Sequence, residues 1–239
     1  MACLFITGTD TNVGKTIVTR ALLQVLAQYG IPIVGYKPIA CGGEDSLPTD
    51  PNQDDYACED NTDVLIIQKS CPTPVNYREI NSYSFIHSST PIFAALDAVC
   101  HISVEKLDKD LTRLHHQYEN VLVEGTYGWL TPINKDLCFA DWVKKNRMPV
   151  VLVVGIKEGC VNHALLTAEA IKQQGVELLG WVANRVNPGL RHYAELVELL
   201  SQKIGAPLLG QLPYIAYPDQ KDLTQFIQNP EPLLKFFHK

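Results

Sequence analysis

A glycine-rich segment near the beginning of the chain has the residue types and the spacing of a phosphate-binding loop. Residues 8–16 read GTDTNVGKT and match the pattern G-x-x-x-x-G-K-[ST] at every fixed position. An apolar run at residues 3–6 precedes the segment and a helical pattern from Ile17 to Tyr29 follows it, which is the context in which such a loop binds phosphate. Backbone N–H groups would face the anion, Lys15 would contact the outer phosphates, and the Thr16 hydroxyl would bind Mg²⁺. The segment therefore predicts a site for a nucleotide and Mg²⁺.

Two further side chains with suitable chemistry stand where strand-like runs end. Lys37 follows the apolar run that begins at Ile33, and Glu124 closes the run at residues 121–123. Because ligands of parallel α/β sheets bind at the carboxyl ends of the strands, both residues are candidates for the same site. Lys37 would hold a transferred phosphoryl group or be an ordinary surface lysine, and the pattern alone does not decide. For Glu124, the pattern favours a Mg²⁺ ligand over an acid that caps a turn.

Asp63 and Asn184 each allow two interpretations. Asp63 begins an apolar helical segment, where it would stabilise the helix N-terminus or add a ligand for Mg²⁺, and the spacing favours the helix role. Asn184 ends a strand-like run, where it would contact adenine or close a turn. The sequence contains no Asn-Lys-x-Asp motif, which disfavours a guanine nucleotide. ATP is therefore the predicted nucleotide.

Apolar runs alternate with helical patterns along the chain. The predicted strands cover residues 4–7, 33–37, 121–124, 150–154, 178–184 and 208–212. The predicted helices cover residues 16–29, 104–116, 162–174 and 191–203. Strands that are apolar on both faces and alternate with helices indicate a parallel sheet covered on both sides. We expect one α/β domain over residues 1–239, a phosphate-loop fold with a mostly parallel sheet flanked by helices.

The composition argues against several other classes of function. The 239 residues are 46% hydrophobic, enough for a sizeable core, and the net charge of −6 disfavours a nucleic-acid-binding surface. The sequence shows no signal-peptide pattern and no apolar run of the roughly 18 residues that a membrane helix needs, so we expect a soluble, cytoplasmic protein without a membrane partner. Seven cysteines without a C-x-x-C pair disfavour a zinc site or a disulfide framework. The polar segment 42–63 holds eight acids, most of them expected on a solvated loop.

Several separated segments carry a resemblance to one enzyme family. Besides the phosphate loop, they are GYKP at residues 35–38, VEG at 123–125, GW at 128–129, ADWV at 140–143, GCVNHA at 159–164 and GWVAN at 180–184. Together and in this order they resemble the dethiobiotin synthetases, which are ATP-dependent enzymes of biotin synthesis. The resemblance covers most of the chain, so it is far more specific than one phosphate loop.

The resemblance implies a reaction that the spacing of residues could not indicate. In such enzymes, an amine of 7,8-diaminopelargonate, a vicinal diamine with a carboxylate tail, captures CO₂ as a carbamate. The carbamate oxygen takes the γ-phosphoryl group of ATP. The second amine then attacks the mixed anhydride and closes a cyclic urea, so that dethiobiotin, ADP and phosphate are formed.

The resemblance also implies a role for each residue that matches the family pattern. The phosphoryl group and the carbamate would be contacted by Lys15, Lys37 and Thr11. Mg²⁺ would be held by Thr16, Asp63 and Glu124. The nucleotide would be bound by Asn12, Val13, Gly14, Lys15, Thr16, Asn184 and Pro213, and the next residue of the helix, Ile17, is assigned no role. The diamine would lie against Cys41 and Tyr127, with its carboxylate near Gly159 and Asn162 at the interface of a homodimer.

Departures from the family pattern lie on the substrate side and leave the acceptor open. Cys41 stands where the family commonly has Ser, Ile92 where a His is frequent, and Thr126 and Tyr127 in a turn that is usually glycine-rich. The polar segment around residues 42–60 also looks longer than usual. A divergent paralogue or a cobyrinate-amidating type of ATPase is therefore the first alternative. A partition-type nucleotide switch is disfavoured, because such switches carry a second lysine early in the loop, and none precedes Lys15 there.

Overall fold

A parallel sheet of seven strands forms the centre of the molecule. The computed structural model describes residues 2–42 and 61–238. The strands are β1 (Ala2–Gly8), β2 (Ile33–Cys41), β3 (Asn81–Phe85), β4 (Asn120–Glu124), β5 (Val150–Ile156), β6 (Leu178–Arg185) and β7 (Leu208–Leu212). Their order across the sheet is β3-β2-β4-β1-β5-β6-β7, and each of the six neighbouring pairs is parallel.

Helices cover both faces of the sheet, because alternate residues of each strand point to opposite sides. The helices are α1 (Lys15–Gln28), α2 (Thr62–Ser70), α3 (Pro91–Asp97), α4 (Val104–Tyr118), α5 (Phe139–Lys145), α6 (Cys160–Gln173), α7 (Tyr193–Lys203) and α8 (Glu231–Phe237). Leu152 of β5 and Trp181 of β6 pack in a hydrophobic cluster with residues of α6 and α7. The residues that follow them, Val153 and Val182, belong to the other, larger hydrophobic cluster, which includes residues of α1 and α4. Every residue of β4 and β5 is buried, which explains their continuous apolar runs.

The predicted fold class is confirmed, and the missed elements are those with weak apolar patterns. β3 is an edge strand. Its residues before the buried Phe85 are mostly polar and only partly buried, so it has no continuous apolar run. Helices α3, α5 and α8 have seven residues each, too few for a helical period to be evident. The four longer predicted helices are present, with ends that differ from the prediction by at most two residues.

The second strand is longer than the prediction of residues 33–37. β2 pairs with β4 from Ile33 to Tyr36 and then with β3 from Lys37 to Cys41. Because β3 was not predicted, this extension was not expected either. Lys37 therefore lies within a strand and not at its end.

Some predictions concern residues outside the described ranges. Seven of the eight acids in the polar segment 42–63 lie there, as does Cys58, whereas Asp63 is on α2. The six cysteines within the described ranges are free. None of the helices in those ranges is both long enough and apolar enough to cross a bilayer.

Gly35 is required where β2 packs closely against α1 and α2. A Cβ at this position would overlap the buried Ile67 side chain and lie 3.1 Å from Leu23 Cδ1. Gly35→Ala should therefore lower the free energy of unfolding by about 1–3 kcal/mol, measured by urea denaturation. The control is Gly189→Ala, whose Cβ would have only Asn187 Oδ1 nearby at 3.6 Å. That control should change stability by less than about 0.5 kcal/mol, and equal stability of the two variants would contradict the close packing.

Candidate active site

The predicted phosphate-binding loop at residues 8–16 joins β1 to α1. Gly14 has a φ of 87°, in the left-handed region that favours glycine, and is the last residue before the helix. Lys15 is the first helical residue, and its Nζ donates to the Asp10 carbonyl across the loop at 2.9 Å. The loop therefore curls around the lysine ammonium, and the N-terminus of α1 is a favourable position for an anion.

Lys37 lies between two carboxylates beside this loop. Its Nζ is 2.5 Å from Glu124 Oε1 and 3.0 Å from Asp63 Oδ2. The Thr16 hydroxyl donates to the same Glu124 oxygen at 2.8 Å. The side chains of Lys37 and Glu124 are buried, whereas 42% of the Asp63 side chain is accessible. Four residues predicted from separate segments, on β2, β4, α1 and α2, thus form one charged cluster.

Burial and charge shift the pKa of the two lysines in opposite directions. Burial lowers the pKa of Lys15 to about 8, and the neighbouring Lys37 charge contributes to this change. Burial also acts to lower the pKa of Lys37, but the carboxylates of Asp63 and Glu124 outweigh it and raise that pKa. Lys37 in turn lowers the pKa of Asp63, against the effect of burial. Lys37 is therefore held as a cation, and Lys15 has no carboxylate within ion-pair distance in the described ranges.

One oxygen of Glu124 is suited to a metal ion. Glu124 Oε2 is buried and has no hydrogen-bond partner among the residues that the structure describes. An unpaired buried carboxylate oxygen is costly, and a cation would satisfy it. Thr16 and Asp63 add oxygen donors of the kind that Mg²⁺ prefers. Residues 2–42 and 61–238 contain no group of three or more His, Cys, Asp or Glu side chains that could together hold a metal ion. This small donor set suits Mg²⁺, which usually takes one or two carboxylates together with water and phosphate oxygens.

A cavity of about 250 Å³ opens between the loop and the end of β2. The predicted site residues that line it are Thr11, Asn12, Gly14, Lys15, Thr16, Lys37, Cys41, Asp63 and Tyr127. Two other predicted residues, Val13 and Glu124, are fully buried next to this lining. Burial raises the pKa of the Cys41 thiol to about 12, so the thiol is protonated at neutral pH and unsuited to act as a nucleophile.

A second cavity of about 210 Å³ adjoins the loop and contains the remaining nucleotide candidates, Asn184 and Pro213. Asn12 and Gly14 line both cavities. The Asn184 amide nitrogen donates to the Val13 carbonyl at 2.9 Å. The end of β6 therefore fixes the loop, and one elongated ligand could extend from the charged cluster into the second cavity.

Gly159 and Asn162 do not line either of these cavities. Gly159 directly precedes α6 with a φ of 79°, and Asn162 is exposed on the first turn of that helix. An ion pair of 3.3 Å between Lys157 Nζ and Asp10 Oδ2 connects this region to the phosphate loop. A single chain thus brings the two residues near the loop but not into the cavity, and their contact with a substrate stays a prediction.

Four residues that line the first cavity were not assigned a role from the sequence: Ile17, Ile66, Ser88 and Thr126. Ile17, which the sequence marked only as the start of a helical pattern, is half-buried on the first turn of α1 and lines both cavities. Ile66 and Ser88 line the first cavity, and no motif marked them. Ile17 follows the phosphate loop directly, so its position between the cavities is a consequence of where α1 begins. It adds an apolar surface beside the polar groups of the loop.

Asn61 also shapes the site without having been assigned. Its Oδ1 accepts a hydrogen bond from the Asp63 N–H at 3.0 Å, and its amide nitrogen donates to the Gly42 carbonyl. Asn61 thus holds the start of α2 against the end of β2 and orients Asp63. The preference of Asn for the position before a helix is the signal that could have identified it.

Related proteins identify the family of this chain. A protein-family model described as an AAA domain matches residues 2–221. The ATP-dependent dethiobiotin synthetase BioD 1 of Haemophilus ducreyi is 76% identical over 236 residues, which cover 99% of this chain and 85% of the relative. The chain belongs to the dethiobiotin synthetase family. The family member of the same name from Pasteurella multocida is 57% identical, with 96% of this chain and 95% of that relative covered.

Solved structures of much lower identity share the architecture. The septum site-determining protein MinD from Pyrococcus horikoshii, complexed with Mg-ADP, gives a TM-score of 0.54 at 13% identity, covering 95% of this chain and 92% of that chain. A ParA family ATPase from Chlorobium tepidum gives 0.53 at 13% identity, covering 99% and 96%. At such identities the likeness concerns the fold alone. It agrees with the predicted phosphate-loop fold and gives no support to the nucleotide-switch alternative.

Gly14→Ala tests the conformation of the phosphate loop. The new Cβ would overlap the Asn184 amide, and a φ of 87° strains a residue with a Cβ by about 1–2 kcal/mol. If the free loop relaxes away from this strained conformation and the ADP-bound loop must adopt it, the affinity for ADP, measured by isothermal titration calorimetry, falls about 5- to 30-fold, the factor to which that strain corresponds. Gly189→Ala, in an exposed loop, should bind ADP as the unmodified protein does. An unchanged affinity of Gly14→Ala would show that ADP does not use this loop conformation.

Proposed function

We propose that the protein forms dethiobiotin from 7,8-diaminopelargonate, CO₂ and ATP, with Mg²⁺ as the metal cofactor. One amine of the diamine and CO₂ form a carbamate, whose oxygen attacks the γ-phosphorus of ATP and displaces ADP. The second amine attacks the carbonyl carbon of the resulting carbamic–phosphoric anhydride. Ring closure then expels phosphate and completes the cyclic urea.

The charged cluster of Thr16, Lys37, Asp63 and Glu124 at the phosphate loop carries this proposal. It combines a buried cation beside the loop with a buried carboxylate oxygen that suits Mg²⁺. A reaction that transfers a phosphoryl group to an anionic acceptor needs both features in one place. The names of the relatives that are 76% and 57% identical support the same activity and favour it over an amidating ATPase with another acceptor.

The two lysines have complementary roles in the proposed reaction. Lys15, a buried charge at the start of α1, would bind the outer phosphates of ATP. Lys37, kept charged by its two carboxylates, would stabilise the carbamate oxygen and the transferring phosphoryl group. Thr11, exposed at the edge of the cavity, would contact the carbamate. Fixed charges and aligned reactants would provide most of the acceleration, so the protein needs no covalent intermediate of its own.

Thr16, Asp63 and Glu124 would hold Mg²⁺. The ion supplies positive charge that neutralises the phosphate oxygens during the transfer. The residues of the chain offer oxygen ligands from three different elements, α1, α2 and β4. Before the nucleotide binds, Lys37 holds the two carboxylates close together.

The diamine would occupy the first cavity against Cys41 and Tyr127. Cys41 would provide a neutral, weakly hydrogen-bonding surface. Tyr127, with a φ of 59°, would limit the space available to the acceptor. Because one chain holds Gly159 and Asn162 outside the cavity, the substrate carboxylate would bind at the start of α6 across a homodimer interface.

The adenine ring would occupy the second cavity, next to Asn184 and Pro213. The Asn184 amide can donate to and accept from adenine, and Val13 together with Asn12 would complete the contacts around the phosphates.

A biosynthetic enzyme of this kind would work on small molecules in the cytoplasm, without a nucleic-acid or membrane partner.

Isotope tracing tests the proposed function directly. The purified protein is supplied with labelled bicarbonate, ATP, Mg²⁺ and 7,8-diaminopelargonate, and the products are separated by chromatography. Label in a cyclic urea, with one ADP released for each ring, is the expected result. ADP release without incorporation would identify a different acceptor, and absence of any diamine-dependent ADP release would contradict the proposed enzyme.

Lys37→Met removes the ammonium group and keeps most of the apolar stem. We expect turnover in the tracing assay to fall on the order of 10²–10³-fold, as when one fixed donor is removed from an active site. The matched control is Lys235→Met on α8, where the lysine pairs with the exposed Glu231. Circular dichroism and retained ADP binding check that the fold survives the loss of the partner of Glu124. Full turnover by Lys37→Met would contradict the assigned role.

Glu124→Gln tests the metal assignment. The amide keeps the shape of the side chain but removes the charge, so the apparent affinity for Mg²⁺ in ADP binding should fall about 10- to 100-fold. Calorimetric titrations of ADP over a range of Mg²⁺ concentrations, with EDTA as the zero point, measure this. Glu231→Gln on α8 is the control and should retain the Mg²⁺ dependence. If Glu124→Gln retains it too, Glu124 is not a metal ligand.

A further inference from the structure

Thr126 joins the two strand ends that carry the charged cluster. Its hydroxyl donates a hydrogen bond to the Ile39 carbonyl of β2. Thr126 follows the last residue of β4, Glu124, by two positions. Thr126 is 6% exposed and lies in the wall of the first cavity. The contact therefore ties the loop after Glu124 to the β2 segment that begins at Lys37.

This part of β2 lies beyond its pairing with β4. The pairs between the two strands end at Tyr36, one residue before Lys37. From Lys37 to Cys41 the paired neighbour is β3, which is an edge strand. A strand segment that pairs with a single neighbouring strand opens locally more readily than one that is paired on both sides. The hydrogen bond from Thr126 to the Ile39 carbonyl opposes such opening. Because Ile39 lies two residues after Lys37 on β2, the same hydrogen bond helps to fix the position of Lys37.

The loop that carries Thr126 is itself fixed to the sheet. The Gly125 N–H donates to the Ile6 carbonyl of β1 at 2.9 Å. On the other side of Thr126, the Gly128 N–H donates to the Thr131 hydroxyl at 2.9 Å. Because the donor stands on a rigid support, its hydrogen bond can set the position of the strand that it contacts.

We propose that Thr126 is a positioning residue for phosphoryl transfer, because its hydrogen bond to Ile39 holds the end of β2 and thereby sets Lys37 against Glu124 and the phosphate loop. The inference rests on the proposed function, since only a reaction in this cavity gives the position of Lys37 a consequence for rate. Thr126 acts through the backbone of β2 and not on the reacting atoms. A displacement of about 1 Å in an active site costs up to about 10²-fold in rate.

Two substitutions of Thr126 separate the hydroxyl from the methyl group. Thr126→Val keeps the shape and removes the donor, whereas Thr126→Ser keeps the donor. We expect kcat for urea formation to fall about 10- to 100-fold in the Val variant, with KM for ATP changed less than about twofold. The Ser variant should stay within about threefold of the unmodified protein. The matched control is Thr19→Val, because the buried Thr19 hydroxyl has no partner among the described residues, and its kcat should not change.

Hydrogen exchange of the backbone amides at residues 39–42 gives a second readout, which can be measured without a diamine substrate. Exchange there should be on the order of fivefold faster in Thr126→Val than in Thr126→Ser, the factor for one lost hydrogen bond. Unchanged kcat and unchanged exchange in Thr126→Val would overturn the inference, as would equal losses of kcat in the Val and Ser variants. If the unmodified protein forms no urea while the exchange difference is present, the proposed function fails and the structural tie from Thr126 to β2 stands.

Discussion

A lysine ammonium buried between two carboxylates is the interaction on which the functional centre depends. Lys37 contacts Glu124 and Asp63, and the Thr16 hydroxyl completes the group. Removing the Lys37 ammonium would leave the buried Glu124 carboxylate unpaired, and removing the carboxylates would leave the buried ammonium unpaired. Either change is strongly destabilising. The cluster is therefore a strict constraint on the structure: the phosphate loop, β2, β4 and α2 must all meet at this point.

The order of the strands satisfies this constraint. β4 lies between β1 and β2, so the strand that carries Lys37 runs two positions from the strand that leads into the phosphate loop. Since these neighbouring strands are parallel, the loop, Glu124 and Asn184 come together at the carboxyl ends of the strands. Short polar contacts then adjust this arrangement, from Asn184 to the loop and from Asn61 to the end of β2.

The sequence was most informative where chemistry and hydrophobic pattern coincide. The loop at residues 8–16, the buried strands and the acid at Glu124 could be predicted because each has a strong local signal. The pairing of Lys37 with Glu124 and Asp63 could not, because it joins residues up to 87 positions apart. The edge strand β3 was missed because it is mostly polar and partly buried, and with it the full length of β2. The link from Thr126 to Ile39 depends on where β4 stops pairing, which a local pattern does not encode.

The fold alone does not determine function here, because solved structures at 13% identity include a septum site-determining protein and a ParA family ATPase. The charged cluster and the close relatives provide the distinction. A crystal structure with Mg²⁺ and a non-hydrolysable ATP analogue tests the central claim most directly. The account predicts that the γ-phosphate lies within contact distance of Lys15 and Lys37, with the metal bound by Glu124. A triphosphate that binds outside this cavity, or a Lys37 remote from the γ-phosphate, would contradict it.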